Sequence, residues 1–191
     1  LAYSKKEACM KQKIIALLLT FITLIPFSNG IVQAADKATP VKSKYIISSD
    51  SSFAPFVFQN ESNQYTGIDM DLIKAIAEDQ GFTLQINNPG FDAALNAVQS
   101  GQADGMIAGM TVTDTRKETF DFSDSYYSAN SILAVSESST ISSYKDLKGK
   151  TVGVKNGTAS QTFLTDNQTK YGYKIKTFSD GASLYDSLNS G

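Results

Sequence analysis

Ala108-Gly109-Met110-Thr111-Val112-Thr113-Asp114-Thr115-Arg116 decides the reading of this chain. A short apolar strand over residues 106–108 ends at Gly109, where the missing Cβ lets a small molecule approach bare backbone. Thr111 then offers a hydroxyl, and Thr113 is placed to cap a short helix whose first turn carries Arg116. A strand end, a hydroxyl and a guanidinium so close together suit a carboxylate, which arginine grips through two parallel charge-assisted hydrogen bonds. Taken alone, the same residues also describe a surface turn with an exposed arginine. The rest of the chain decides between the two.

Outward from this segment, strands and helices alternate. Residues 45–49 predict a strand. Ile68, Leu72, Ile73, Ile76 and Ala77 recur at helical spacing behind Asp69, with Gly81 as the stop. Residues 82–86 predict the next strand. Phe91, Leu95 and Val98 mark a helix closed by Gly101, and residues 106–110 predict a third strand. This βαβαβ order implies a parallel sheet with covering helices. The pattern then restarts, with strands at 151–154 and 174–178 and helices at 161–170 and 182–189. Val98-Gln99-Ser100-Gly101 and Leu188-Asn189-Ser190-Gly191 hold the same place in the two rounds. Two similar α/β lobes are expected, joined near residues 126–131, with the first spanning residues 45–127 and the second residues 128–191. Gly191 falls where another strand should begin, so the second lobe is expected to be truncated.

The N-terminal part reads differently. Met10 is followed by Lys11 and Lys13, an apolar run over residues 14–27, and small side chains at Val32 and Ala34. These are the parts of a secretory signal peptide over residues 10–34, cut after Ala34. The apolar run of about 14 residues falls short of the roughly 20 needed to span a bilayer. Residues 1–9 are expected to be non-native upstream translation, and residues 35–44 a linker. The single cysteine, Cys9, precedes the apolar run and cannot be an acylated lipoprotein cysteine. A net charge of −2 and 41% hydrophobic residues describe an ordinary globular chain, with no basic patch of the kind nucleic acid requires.

In open α/β sheets, ligands sit beyond the carboxyl ends of the strands, and two facing lobes make that place a cleft. Asp50-Ser51-Ser52-Phe53-Ala54-Pro55-Phe56 follows the first strand, and Lys155-Asn156-Gly157-Thr158-Ala159-Ser160 follows the first strand of lobe two. The second of these opens a helix whose free amides favour an anion. Asp50 alone could form a turn, Phe53 and Phe91 could be core, Lys155 could be solvated, and Gly157-Thr158 could be a plain cap. Polar groups of the right kind after the leading strands of both lobes point instead to a binding site.

With Ser49 to Phe56 and 108–116, the segments Thr66-Gly67-Ile68-Asp69-Met70-Asp71-Leu72 and Lys148-Gly149-Lys150-Thr151-Val152-Gly153-Val154-Lys155-Asn156-Gly157-Thr158 complete a set of four motifs in order. The set resembles bacterial extracellular solute-binding proteins of polar amino-acid ABC importers, in particular glutamine-binding domains of Gram-positive permease-fused importers. The resemblance covers residues 45–191. It implies a two-lobed periplasmic-binding-protein-like (type II) α/β fold, extracellular placement (periplasmic in a Gram-negative cell), no cofactor or metal, and ABC permease and ATPase subunits as partners that tie the domain to the membrane.

It also implies roles. Arg116 would clamp the ligand α-carboxylate, helped by Thr111 and a backbone amide at Thr158–Ala159. The Gly109 carbonyl would accept from the α-ammonium, and Phe53 and Phe91 would sandwich the aliphatic side chain. Asp50 would accept from a side-chain amide NH₂ and Lys155 would donate to its oxygen. Such a donor–acceptor pair complements glutamine, whereas glutamate would set a second carboxylate against Asp50. Ala159 departs from a glycine of some relatives, and the family's ammonium-pairing aspartate is expected beyond Gly191. An enzyme on this scaffold, such as a small-acid dehydratase, would need a proton shuttle, and the chain holds no histidine. The input domain of a membrane receptor would bind the same ligand and differ only in what is joined to it.

Overall fold

A computed structural model describes residues 2–4 and 42–191. The expected leader, its cleavage point and most of the expected linker lie outside the described residues. Ala2–Ser4 forms β1. Lys44–Ser48 forms β2, and the short strands Phe58–Gln59 (β3) and Tyr65–Thr66 (β4) pair as a hairpin. Helix α1 follows over Ile68–Gln80, then β5 over Thr83–Asn87, α2 over Phe91–Gln99 and β6 over Gly105–Met106. The four-residue α3, Asp114–Lys117, leads into β7, Phe120–Phe122.

The first sheet runs β5-β2-β6-β1-β7. β2 is parallel to β5 and β6, with α1 and α2 in the crossovers between these strands. β1 is antiparallel to both neighbours, with Ala2 opposite Met106 on one side and Phe122 on the other. Sequence reading had placed no element there, because three residues are too few to carry a period.

Alternation along β2 sends Ile47 to one face of the sheet and Ile46 to the other. Ile47 joins Val57, Met70, Ile73 and Ile107 under α1, while Ile46 packs against the cluster of Phe91, Ala94, Val98, Met106 and Phe120 under α2. Met70, Ile73 and Ala77 form the inward face of α1, which ends at Gly81 with φ of 71°. The helix begins at Gly67, where φ is 118° and an added Cβ would lie 2.4 Å from the Phe56 carbonyl oxygen. Only glycine fits that approach.

The second lobe contains the parallel pair β8 (Thr151–Lys155) and β9 (Lys174–Phe178), with α4 (Ala159–Tyr171) and α5 (Gly181–Asn189). Val152, Val154, Leu164 and Tyr173 form its core with Leu147, which ends a 3₁₀ turn over Tyr144–Leu147. The Thr158 and Asp180 side chains cap α4 and α5. Residues 123–143, between the lobes, hold no helix or strand.

The alternation of elements follows the sequence reading with one material correction. The third strand was expected to run to Met110, but it stops at Met106. Its partner β2 ends at Ser48, and the Ser49 hydroxyl, not a ladder amide, takes the Ile107 carbonyl. The following residues are thereby released from the sheet, and Gly109 adopts φ of 53°. α2 also closes slightly early, with Ser100 as its cap before Gly101.

Candidate functional site

The site is built where β2, β6 and β8 run out. Arg116 sits at the start of α3 because Thr113 caps that helix, its hydroxyl accepting from the Arg116 amide at 3.2 Å. From there the guanidinium reaches across to the other lobe. One terminal nitrogen donates to the Thr111 carbonyl at 2.7 Å and the other to the Gly157 carbonyl at 2.9 Å. The Phe91 ring lies beneath it, 5.5 Å from centroid to Cζ. Burial lowers the pKa of this guanidinium, which stays charged.

Asp50 and Lys155 join the lobes a second time. Asp50 is 1% exposed and Lys155 8%. The Lys155 ammonium donates to both carboxylate oxygens, at 2.6 and 2.5 Å, and to the Ser52 carbonyl at 3.3 Å. Asp50 Oδ1 is held further by the Ser51 amide at 2.7 Å, and Asn88 donates to the Asp50 carbonyl at 2.9 Å. A buried ion pair gains little over an apolar pair of the same size, because both charges must first leave water. It does fix which groups meet and in what geometry. Here it sets a carboxylate and an ammonium side by side at one end of the contact between the lobes.

The aromatic residues separate. Phe53, 41% exposed, stacks on Phe56 with centroids 5.0 Å apart, and Tyr127 meets Phe56 edge-on at 4.9 Å. Gly109 passes close to these rings, so a Cβ there would sit 2.8 Å from Phe53 Cε1. Phe91 is 5% exposed and packed into the core below Arg116. Phe53 therefore offers an open ring, while Phe91 offers its face to the guanidinium.

Thr111 contributes its carbonyl to Arg116. The Thr158 hydroxyl is engaged in the turn itself, donating to the Lys155 carbonyl at 2.8 Å and accepting from the Gln161 amide at 3.2 Å. Ala159 is the first residue of α4, so its amide has no acceptor within the helix. The structure thus brings Asp50, Lys155, Arg116 and Gly157 together where the lobes meet, with Gly109 beside Phe53 in the first lobe and the Thr158 hydroxyl on the Lys155 carbonyl in the second.

Three contributors escaped the sequence reading. Gly157 supplies the carbonyl that Arg116 holds, and a Cβ on it would lie 3.0 Å from Asp92 Oδ1 of the first lobe. Ser52 supplies the carbonyl under Lys155. Asp69 and Tyr126 form the third contribution. Asp69 is wholly buried, accepts from the Tyr126 hydroxyl at 2.9 Å, and leaves Oδ2 without a partner. Tyr126 in turn accepts from the Gly109 amide at 3.2 Å. Burial raises the Asp69 carboxyl, with the Tyr126 hydrogen bond opposing, and burial beside that carboxylate raises the Tyr126 phenol. One signal for this network was present in the sequence: Asp69 stands one helical repeat before Ile73, on the apolar face of α1.

Comparison with known proteins identifies the family. The chain is 33% identical over 167 residues to the arginine-binding extracellular protein ArtP of Bacillus subtilis, covering 87% of this chain and 64% of that protein. It therefore spans a little under two thirds of the relative's length. An ancestral arginine-binding protein bound to glutamine aligns with a TM-score of 0.73 and 36% identity, covering 79% of this chain and 67% of the other. Substrate binding domain 2 of Lactococcus lactis GlnP, in an open conformation, is 55% identical, covering 81% and 67%, with a TM-score of 0.49. The sequence profile of the bacterial extracellular solute-binding proteins, family 3, matches residues 45–190, and the chain belongs to that family.

Proposed function

We propose that this chain carries the greater part of an extracellular domain that captures a free amino acid, glutamine in first place, for an ABC importer. The observation that carries the reading is the pairing of groups from both lobes at one place. Arg116 lies against the Gly157 carbonyl, and Asp50 lies against Lys155. An amino-acid zwitterion needs an anion grip and a cation acceptor, and glutamine adds an amide with one donor end and one acceptor end. Arg116 and the Ala159 amide suit the carboxylate, and the Gly109 carbonyl suits the ammonium. Asp50 and Lys155 suit the two ends of the side-chain amide, with Phe53 against its methylenes.

Capture then follows from lobe closure. Each lobe offers only part of the partner set, so ligand favours the closed arrangement by its differential affinity for it. Asp50 and Lys155 lie against one another, and an amide set between them would give each charge a partner atom of its own. Glutamate would replace a donor with a second anion facing Asp50 and would bind less well. The groups assembled serve binding, which matches relatives named as binding proteins. Among the described residues no helix is long and apolar enough to cross a membrane. Contact with the membrane would come through the permease that receives the ligand.

Calorimetric titration of the full-length domain with L-glutamine, L-glutamate, L-asparagine and L-arginine tests the proposal. Glutamine is expected to bind most tightly, at micromolar affinity or better, roughly −8 kcal/mol. Arginine binding more tightly than glutamine would overturn the ligand assignment, and no heat with any of the four would overturn amino-acid capture.

A further inference from the structure

The start of α5 touches the first lobe through a residue with no side chain. Gly181 is the first residue of that helix, behind the Asp180 cap whose Oδ1 accepts from the Ser183 amide at 2.8 Å. A Cβ on Gly181 would stand 3.0 Å from the Ser52 carbonyl oxygen and 3.6 Å from the Ser52 hydroxyl. Unlike Gly157, whose φ of 72° favours glycine for backbone reasons, Gly181 lies outside the positive-φ region. Alanine is the better helix former at such a position. Glycine here answers to Ser52, across the contact between lobes.

Ser52 cannot easily give way. Its amide reaches Asp50 Oδ1 at 3.4 Å and its carbonyl accepts from Lys155 at 3.3 Å, so moving it disturbs both members of the buried pair. Asp180 is held within its own lobe: hydrogen bonds from Ser183 and Ser179 chiefly lower its carboxyl.

We infer that Gly181 sets how closely the two lobes can approach, and with it the grip on any bound amino acid. A methyl at this position would hold α5 off the Ser52 carbonyl and stretch the Asp50–Lys155 contact, leaving each lobe intact. Affinity would then fall for every ligand alike, because closure is common to all of them. The inference rests on the proposed capture by closure, and its test does not depend on which amino acid is captured.

The test uses the full-length protein with Cys9→Ser and spin labels at Glu78 and Asp166, one exposed position on each lobe. Inter-lobe distances and thermal midpoints are compared for wild type, Gly181→Ala and Gly181→Val, with and without L-glutamine. The short-distance population is expected to fall severalfold in Gly181→Ala and further in Gly181→Val, with midpoints equal to wild type or higher. Where wild type binds L-glutamine, its dissociation constant is expected to rise about tenfold in Gly181→Ala. Distance distributions unchanged in both variants would overturn the inference. So would a lowered midpoint with unchanged distances, which would assign Gly181 to packing within its own lobe. Failure of wild type to bind glutamine would overturn the ligand assignment alone, since the distances without ligand still decide the role of Gly181.

Discussion

Arg116 bridges the lobes, and in the proposed site its charge would face the ligand carboxylate. Its hydrogen bonds to Thr111 and Gly157 depend on a planar fork that lysine cannot reproduce. Arg116→Lys is therefore expected to weaken amino-acid binding by about 2–3 kcal/mol, the worth of charge-assisted hydrogen bonds lost. The unfolding midpoint should barely move, and calorimetry beside a thermal melt checks both. Asp69 predicts a pH effect. Its carboxyl is raised above the ordinary 3.8, first by burial and also by the nearby Asp50 charge. A raised folded-state value means the native state holds its proton longer than the unfolded state. The contribution of Asp69 to stability thus declines as pH rises from about 3.8 to the folded value and is level above it. In Asp69→Asn that slope should vanish from urea unfolding across pH 3 to 7, so its stability relative to wild type climbs over the same window. At this scale the sequence pointed to Arg116, Asp50 and Lys155, because charged residues after strand ends stand out, and the structure brings Asp50 to Lys155 and Arg116 to Gly157. Gly157 and Ser52 act through their carbonyls, which every residue has, and no side-chain pattern announces them.

The elements owe their limits to a few local devices. Thr158 caps α4 with its hydroxyl and ties the same hydroxyl to the Lys155 carbonyl. Thr158→Ala should cost about 1 kcal/mol of stability in chemical denaturation, the usual worth of an N-cap. It should also loosen the turn that presents the Ala159 amide. At Gly67 both φ and the Phe56 carbonyl reject a side chain, so Gly67→Ala is expected to cost at least 2 kcal/mol in the same assay. α1 and α2 were legible because their apolar residues recur at helical spacing and glycines punctuate them. β6 was overestimated: the apolar run continues to Met110, but the partner strand that would pair with it ends at Ser48. β1 has no signal of its own. A three-residue strand is defined only by the gap between β6 and β7 that it fills.

For the molecule as a whole, two lobes with separate cores meet through polar contacts that include Asp50–Lys155, Lys155–Ser52 and Arg116–Gly157. Repetition of the α/β pattern made two lobes readable. Which polar groups would face one another required the structure, since Asp50 and Lys155 stand 105 positions apart. Breaking one partner of a buried pair usually costs about 3–5 kcal/mol. Here that cost falls on the contact between lobes, because the partners belong to different lobes. The most direct test of the account is the ratio of L-glutamate to L-glutamine dissociation constants in wild type and in Asp50→Asn. Removing the carboxylate removes the repulsion of glutamate and frees Lys155 to pair with it. The ratio is predicted to fall about tenfold, or 1.4 kcal/mol. An unchanged ratio would contradict the placement of the ligand side chain between Asp50 and Lys155.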